Sequence, residues 1–220
     1  MSINDIKNLF NNSYKFILEP VIKINNQNFQ SYGLFNSLNK ENRFLKIVEI
    51  DNTKSLHLLI CLQNPSKDDN NCILNKLIKK FYNDHPDYDN ISTITIINVS
   101  SYITPHLEDI PLNIRSEKYT SYNQENIEVI TKLLDSNNYD EIYLGVGQHP
   151  LSSKCKLKKE FNQIFPRLIN LIKEKQPDKW KYFGKMVKDQ LLPCYPRNPS
   201  IIEFKDLDIN KINEYIRRFV

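Results

Sequence analysis

Residues Leu56–Asn71 read Leu-His-Leu-Leu-Ile-Cys-Leu-Gln-Asn-Pro-Ser-Lys-Asp-Asp-Asn-Asn. Six of the first seven are apolar, the pattern of a strand buried on both faces, as in a parallel sheet. The run stops at Gln63-Asn64-Pro65-Ser66. Pro65 removes a ladder donor and holds the residue before it extended, which fixes Asn64 at the carboxyl end of the strand. Ligands of open α/β sheets bind at that end. The polar cluster Gln63, Asn64, Pro65, Ser66, with Asp68 and Asp69 just beyond, is therefore a candidate site.

Working forward, Cys72–Tyr82 has helical spacing, with Ile73, Leu74, Leu77, Ile78 and Phe81 on one face. Ser92–Asn98 follows as a second β-branched, buried strand that ends in Asn98. A helix between two such strands implies a βαβ unit, with Asn98 beside Asn64 at one edge. Val99–Tyr122 reads as a long irregular segment, and Gln124–Leu134 as a helix. Tyr139–Gly147 is a third strand ending in glycines, followed by His149. Lys154–Lys175 is a basic helix that Pro166 should kink or break. Trp180–Val187 is a fourth strand, and Leu192–Ser200 a proline-stiffened loop carrying Tyr195, Arg197 and Asn198. Asp208–Phe219 closes the chain as a helix.

Working backward, Ser2–Tyr14 reads as a short helix. Phe16–Ile24 and Phe44–Ile50 have strand character, with Ser31–Arg43 as a polar, turn-like stretch between them. The expected architecture is a single domain over residues 1–220, a three-layer α/β/α sandwich with a mostly parallel central sheet of about four core strands.

The chain has 220 residues, 40% hydrophobic and 25% charged, as in an ordinary globular protein. No apolar run approaches a membrane span, and Met1-Ser-Ile-Asn-Asp is no signal peptide. Cys61, Cys72, Cys155 and Cys194 are widely spaced, with neither zinc nor disulfide patterning, which points to the cytoplasm. Net charge is +4, but Leu151–Ser200 holds 12 Lys/Arg against 4 Asp/Glu, a local +8. That concentration fits either a polyanion partner or a solvated lysine-rich face. Gly145-Val146-Gly147 is not a dinucleotide fingerprint, because no G-x-G-x-x-G is present.

Taken in order, Leu62-Gln63-Asn64-Pro65-Ser66, Ile96-Ile97-Asn98, Gly145-Val146-Gly147 and Pro196-Arg197-Asn198-Pro199-Ser200 resemble the motifs of the uracil-DNA glycosylase superfamily. That family has G-Q-D-P-Y-H or G-x-N-P-G, then L-L-L-N, then W-G, then H-P-S-P. The chain is closer still to a bacterial and phage branch of unassigned function, with L-N-P-S-T-A-D, N-L-F-A, W-G and P-R-H-P-L. The resemblance covers Leu56–Ser200. It implies that Asn64 holds the attacking water, that Pro65 and Ser66 form the turn behind it, and that Asn98 reads the extruded base. Asn198 stands where the family usually has a His that stabilises the departing base, and Gly147 has lost its preceding Trp.

The implied activity is a monofunctional DNA glycosylase that needs no metal or organic cofactor. It would act as a monomer on DNA, away from membranes. Asn64 can orient a water but cannot take its proton, so Asp68 or Asp69 is expected to supply the carboxylate. Gln63 and His149 belong to the base-binding set. Lys154, Lys156, Lys158 and Lys159 would meet phosphates, while Tyr195, Arg197 and Ser200 would lie against the DNA. The weak acid–base set points to a base other than plain uracil; the resemblance to a bacterial and phage branch implies a modified one, such as a hydroxymethylated or glucosylated cytosine of phage DNA, and anti-phage defence. Two other classes stay open: a non-catalytic module that senses modified bases, and a hydrolase of free nucleotides or nucleosides.

Overall fold

The computed structural model describes residues 3–10, 14–36, 41–63, 65, 73–103, 117–136, 138–146, 158–183, 186–187, 192–193 and 204–219. Its helices are α1 (Ile3–Leu9), α2 (Ile73–Asp84), α3 (Glu117–Ser136), α4 (Lys158–Lys175) and α5 (Ile209–Phe219). Its strands are β1 (Tyr14–Ile24), β2 (Gln27–Asn36), β3 (Arg43–Glu49), β4 (Leu56–Leu62), β5 (Ile91–Asn98), β6 (Glu141–Gly145), β7 (Trp180–Phe183), β8 (Met186–Val187), β9 (Leu192–Pro193) and β10 (Phe204–Asp206).

Eight strands form one sheet, in the order β1-β2-β3-β5-β4-β6-β7-β10. The pairings β5–β4, β4–β6 and β6–β7 are parallel. The pairings β1–β2, β2–β3, β3–β5 and β7–β10 are antiparallel. This overturns the expectation of a mostly parallel, glycosylase-like sheet of about four strands: the sheet is mixed, and antiparallel pairings outnumber parallel ones.

The largest source of the error is the front of the chain. Ser31–Asn36 is strand, because β2 runs through Asn36 and pairs with β1 from Ile24↔Gln27 to Tyr14↔Asn36. The true turn is Asn25-Asn26, with φ of 45° and 66°. Two consecutive left-handed residues make the tight hairpin turn whose twist matches the strands, and asparagine tolerates that conformation better than most residues. The polar residues of β2 lie on a strand near the sheet's edge, so hydropathy alone hides it. Gly33 of β2 has a packing reason. A Cβ there would lie 2.4 Å from Phe35 and 2.7 Å from Glu19 Oε1. Its absence leaves room for the buried Glu19 carboxylate, which meets Arg43 Nη1 at 3.1 Å and Lys46 Nζ at 2.9 Å.

Apolar side chains fill both faces of the sheet. One face packs Leu45, Leu59, Cys61 and Ile97 against residues of α1, α3, α4 and α5. The other packs Leu58, Ile60, Leu62, Ile94 and Ile96 against Leu77, Ile78 and Phe81 of α2. At about 25 cal/mol per Å² of apolar surface removed from water, such strands are the main source of stability. The Cys61 thiol is fully enclosed, and burial pushes its pKa up to about 12.

Other boundaries also move. α3 begins at Glu117, well inside the stretch read as irregular. α4 passes through Pro166 without ending, although the proline has no N–H to offer the preceding turn. Trp180–Val187 is not one strand: β7 ends at Phe183, and β8 pairs with β9 in a separate two-stranded sheet. Among the described residues, no helix is long and apolar enough to cross a membrane.

Candidate functional site

Three neighbouring parallel strands end level with one another. Leu62 of β4 pairs with Asn98 of β5 on one side and with Gly145 of β6 on the other. The β4–β5 ladder continues past the strands: Val99 N–H donates to the Leu62 carbonyl and Ser100 N–H to the Gln63 carbonyl, both at 2.9 Å. Gln63 is half-buried and Pro65 is buried. Asn98 is 2% exposed. By the alternation of a strand it shares the face of Ile94 and Ile96. Gly145 is required at its position, because a Cβ would lie 2.4 Å from Phe183 Cζ.

After β5 the chain turns along β3. Arg43 N–H donates to the Ser101 carbonyl at 2.9 Å, Ile103 N–H to Glu41 at 2.7 Å, and Ser101 Oγ to Asn42 Oδ1 at 3.1 Å. Helix α3 lies over this corner. Asn126 Nδ2 donates to the carbonyl of Asn98 at 2.8 Å and reaches that of Val99 at 3.4 Å. Asn123 and Tyr119 stand on the same side of α3 by helical spacing, and both are buried.

Several polar atoms near the end of β5 are enclosed without a hydrogen-bond partner among the described residues: Asn98 Oδ1, Ser100 Oγ, and, on α3, Asn126 Oδ1 and both amide atoms of Asn123. Left unmet, a buried polar group costs roughly 1–3 kcal/mol. Whole domains are stable by only about 5–15 kcal/mol, so a cluster of this kind calls for an explanation beyond packing. These groups are uncharged: each can exchange donors or acceptors with a neutral polar group, and none of them is a general base. On α3 the Glu125 carboxyl faces Asn36, whose amide donates to both its oxygens, and burial raises its pKa.

Of the residues singled out from sequence, Gln63, Pro65 and Asn98 come together here. Asn64, Ser66, Asp68, Asp69, Gly147, His149, Lys154, Lys156, Tyr195, Arg197, Asn198 and Ser200 lie outside the described residues. Lys158 opens α4, and Lys159 is exposed beside it. Part of the basic segment is engaged within the fold. Lys175 pairs with Asp135 at 2.7 Å, Lys179 Nζ donates to the Tyr139 carbonyl at 2.8 Å, and Lys181 binds Glu141.

Sequence reasoning missed Ser100, Asn123 and Asn126. A signal existed: continuing the stripe of Ile127, Ile130, Leu133 and Leu134 backward by helical steps passes through Asn126, Asn123 and Tyr119. Asparagine on an inward stripe ends the apolar pattern, and so the helix was expected to start too late.

A second polar cluster sits at the opposite, amino end of the parallel strands. Glu141, which opens β6, accepts from Tyr143 OH at 2.6 Å and from Lys181. Its Oε2 lies 2.8 Å from His85 Nε2. His85 Nδ1 accepts from Asp87 N–H at 3.1 Å, which leaves the ring proton on Nε2, facing the carboxylate. Phe81, Phe183 and Phe204 pack around Tyr143. Partial burial alone would raise the Glu141 pKa. The hydrogen bonds from His85, Lys181 and Tyr143 outweigh it and hold the carboxyl at about 2.

No protein-family model and no curated protein matches the chain. Among solved structures, RibBX, a two-domain 3,4-dihydroxy-2-butanone 4-phosphate synthase from A. baumannii, is similar at 11% identity and a TM-score of 0.27. The match covers 65% of this chain and 37% of that one, and its TM-score is too low to carry an argument about fold or activity.

Proposed function

We propose that the protein is a DNA N-glycosylase that extrudes a modified base, hydrolyses its bond to deoxyribose and leaves an abasic site. The observation that carries this reading is Asn98. It is buried, its Oδ1 has no partner among the described residues, and it stands beside Leu62-Gln63 at the carboxyl edge. An amide offers one acceptor and two donors, the complement of a base edge. The reading rests on this residue and on the motif order along the chain, not on the sheet.

In the proposed reaction the C1′–N bond breaks and the base leaves with the electron pair. Water supplies the oxygen to C1′, held by Asn64. Its proton passes to Asp68 or Asp69. The exposed Lys159 and its neighbours in sequence would engage the phosphate backbone without reading sequence. The substrate in this reading is a hydroxymethylated or glucosylated cytosine, and the biological role is defence against phage.

A second reading is favoured by one observation: among the described residues, the unpartnered groups near the edge are amides and hydroxyls. A site that only senses a base would need no more than that.

End-labelled duplexes carrying uracil, hydroxymethylcytosine, glucosylated hydroxymethylcytosine or cytosine test the proposal. Hot alkali after incubation cuts abasic sites. Product from one modified duplex, lost in Asn64→Ala and Asn98→Ala, is the expected result. Tight binding of a modified duplex with no abasic product would replace the enzyme with the sensing module.

A further inference from the structure

Strand β5 sends its side chains alternately to the two faces of the sheet, and the alternation carries on past its end. Ile97 and Val99 belong to the face covered by α3. Ser101 Oγ reaches the Tyr122 carbonyl of that helix at 3.4 Å. Ser100 lies between Val99 and Ser101, so it turns to the other face, which it shares with Ile96 and Asn98. Asn98 is 2% exposed and Ser100 0%. Asn98 Oδ1 and Ser100 Oγ have no hydrogen-bond partner among the described residues. Their Cα atoms are at most about 7 Å apart, the reach of two residues of extended chain. The main chain there is pinned to β4, because Val99 and Ser100 donate to the Leu62 and Gln63 carbonyls. The charged groups on this face are engaged with one another: Lys46, opposite Ile96, meets Glu19 at 2.9 Å, and Arg43 meets Glu19 at 3.1 Å.

We infer that Ser100 is the specificity-determining residue of the proposed site: its hydroxyl pairs with a hydroxyl carried on C5 of a cytosine whose 4-amino group donates to Asn98 Oδ1. This rests on the glycosylase reading for the identity of the ligand as a nucleobase, and it narrows the substrate to 5-hydroxymethylcytosine.

The chemistry selects the base. Asn98 Oδ1 is an acceptor and needs a donor. The 4-amino group of cytosine supplies one, whereas the 4-carbonyl of uracil would set two acceptors against each other. A hydroxymethyl group on C5 is the next substituent along the same edge. Two adjacent substituents, with a hydrogen bond of about 2.8 Å at each end, match two side chains one strand repeat apart. A serine hydroxyl donates and accepts, so it suits another hydroxyl. A methyl group in that place would leave Ser100 enclosed and unmet. Glucose on that oxygen removes its proton and brings a hexose into an enclosed corner, so the glucosylated base is the weaker ligand. If Ser100 were only packing, removing its hydroxyl would leave recognition intact.

That contrast sets the test. Binding of duplexes carrying 5-hydroxymethylcytosine, 5-methylcytosine or glucosylated hydroxymethylcytosine is measured by fluorescence anisotropy over unmodified competitor duplex, with wild type and Ser100→Ala. Thermal unfolding of both proteins is recorded alongside. We expect wild type to bind the hydroxymethyl duplex about tenfold or more tightly than the methyl duplex, and Ser100→Ala to bring that ratio to about 1, with the melting temperature unchanged or raised. A preference that survives in Ser100→Ala overturns the inference. So does a wild type that binds the methyl or the glucosylated duplex as tightly as the hydroxymethyl one. If the alanine variant does not fold, Ser100→Cys is scored in its place. Abasic product is scored separately. A preference that depends on Ser100, with no product from any duplex, keeps this inference and removes the catalysis. Product formed from a modified duplex equally by wild type and Ser100→Ala keeps the catalysis and removes the inference.

Discussion

The two ends of the parallel strands are both polar, but they treat their polar groups in opposite ways. At the amino end, Glu141 is bonded by His85, Tyr143 and Lys181, and the rings of Phe81, Phe183 and Phe204 close around them. At the carboxyl end, Asn98, Ser100, Asn123 and Asn126 keep enclosed atoms without partners among the described residues. A satisfied network rigidifies and specifies a fold, whereas a partly satisfied one is costly unless something else completes it. The difference marks the amino end as a structural cluster and the carboxyl end as the place of the proposed site, without appeal to residue type. The amino end holds the histidine and the carboxylate that a search for catalytic groups would pick first, yet their hydrogen bonds are already committed to one another.

The comparison would break most visibly at Asn98. Asn98→Ala should lower abasic-product formation by about 100-fold or more, the scale seen when an oriented polar group at a reacting centre is removed. Unfolding of the same variant should change little, because the deleted Oδ1 has no partner to strand. A large loss of stability with activity preserved would place Asn98 with the structural groups.

His85→Ala should do the reverse. Removing the ring takes a hydrogen bond from an ionised, half-buried carboxylate and empties part of an aromatic cluster. The expected cost is about 2–3 kcal/mol, or a fall in melting temperature of roughly 5–10 °C. Binding of a modified duplex should stay near wild type. Loss of binding without loss of stability would move the functional site to the wrong end of the sheet.

Gly145→Ala probes the level row that joins the two regions. The added Cβ would lie 2.4 Å from a Phe183 ring that is itself packed against Phe81 and Tyr143. A destabilisation of about 1–3 kcal/mol is expected from such overpacking, measured by denaturant unfolding.

The smallest effect is in pH. Glu141 has its carboxyl lowered from 4.5 to about 2, so its network contributes fully above pH 4.5. That contribution is lost as pH falls from about 4.5 through 2, because the unfolded chain takes up the proton first. Denaturant midpoints between pH 5 and pH 2 should fall in wild type and fall less steeply in Glu141→Gln. Equal slopes would show that Glu141 does not carry this dependence.

Legibility in the sequence follows burial. Leu56–Leu62 and Ile91–Asn98 are enclosed on both faces, and the continuous apolar run marks them at once. β2 has no such mark: only some of its positions are buried, and Gln27, Asn28 and Gln30 are exposed. The Asn-Asn turn before it was the clue, and it depends on backbone conformation rather than hydropathy. Asn98 was readable because it terminates a run of isoleucines. Asn123 and Asn126 continue the inward stripe of α3, but a polar side chain on that stripe gives no hydropathy signal of burial until tertiary contacts are known. The basic third was legible as a count but not as a surface, because Lys179 and Lys181 turn their charge toward the protein.

The adjacency of β3 and β5 has a consequence for the order of assembly. β1 and β2 meet through a two-residue turn, and β3 follows from nearby in sequence, so these pairings need little loop closure. β3 does not continue into β4. It pairs with β5, and β4 fits between β5 and β6. The edge shared by Leu62, Asn98 and Gly145 exists only once three strands distant in sequence have docked. We expect the amino-terminal meander to be formed early in the folding transition state and Asn98 late, so that substitutions there alter the unfolding rate far more than the folding rate. On the proposed reading, a site that is last to assemble is also first to open, and a bound base would act as a brake on unfolding.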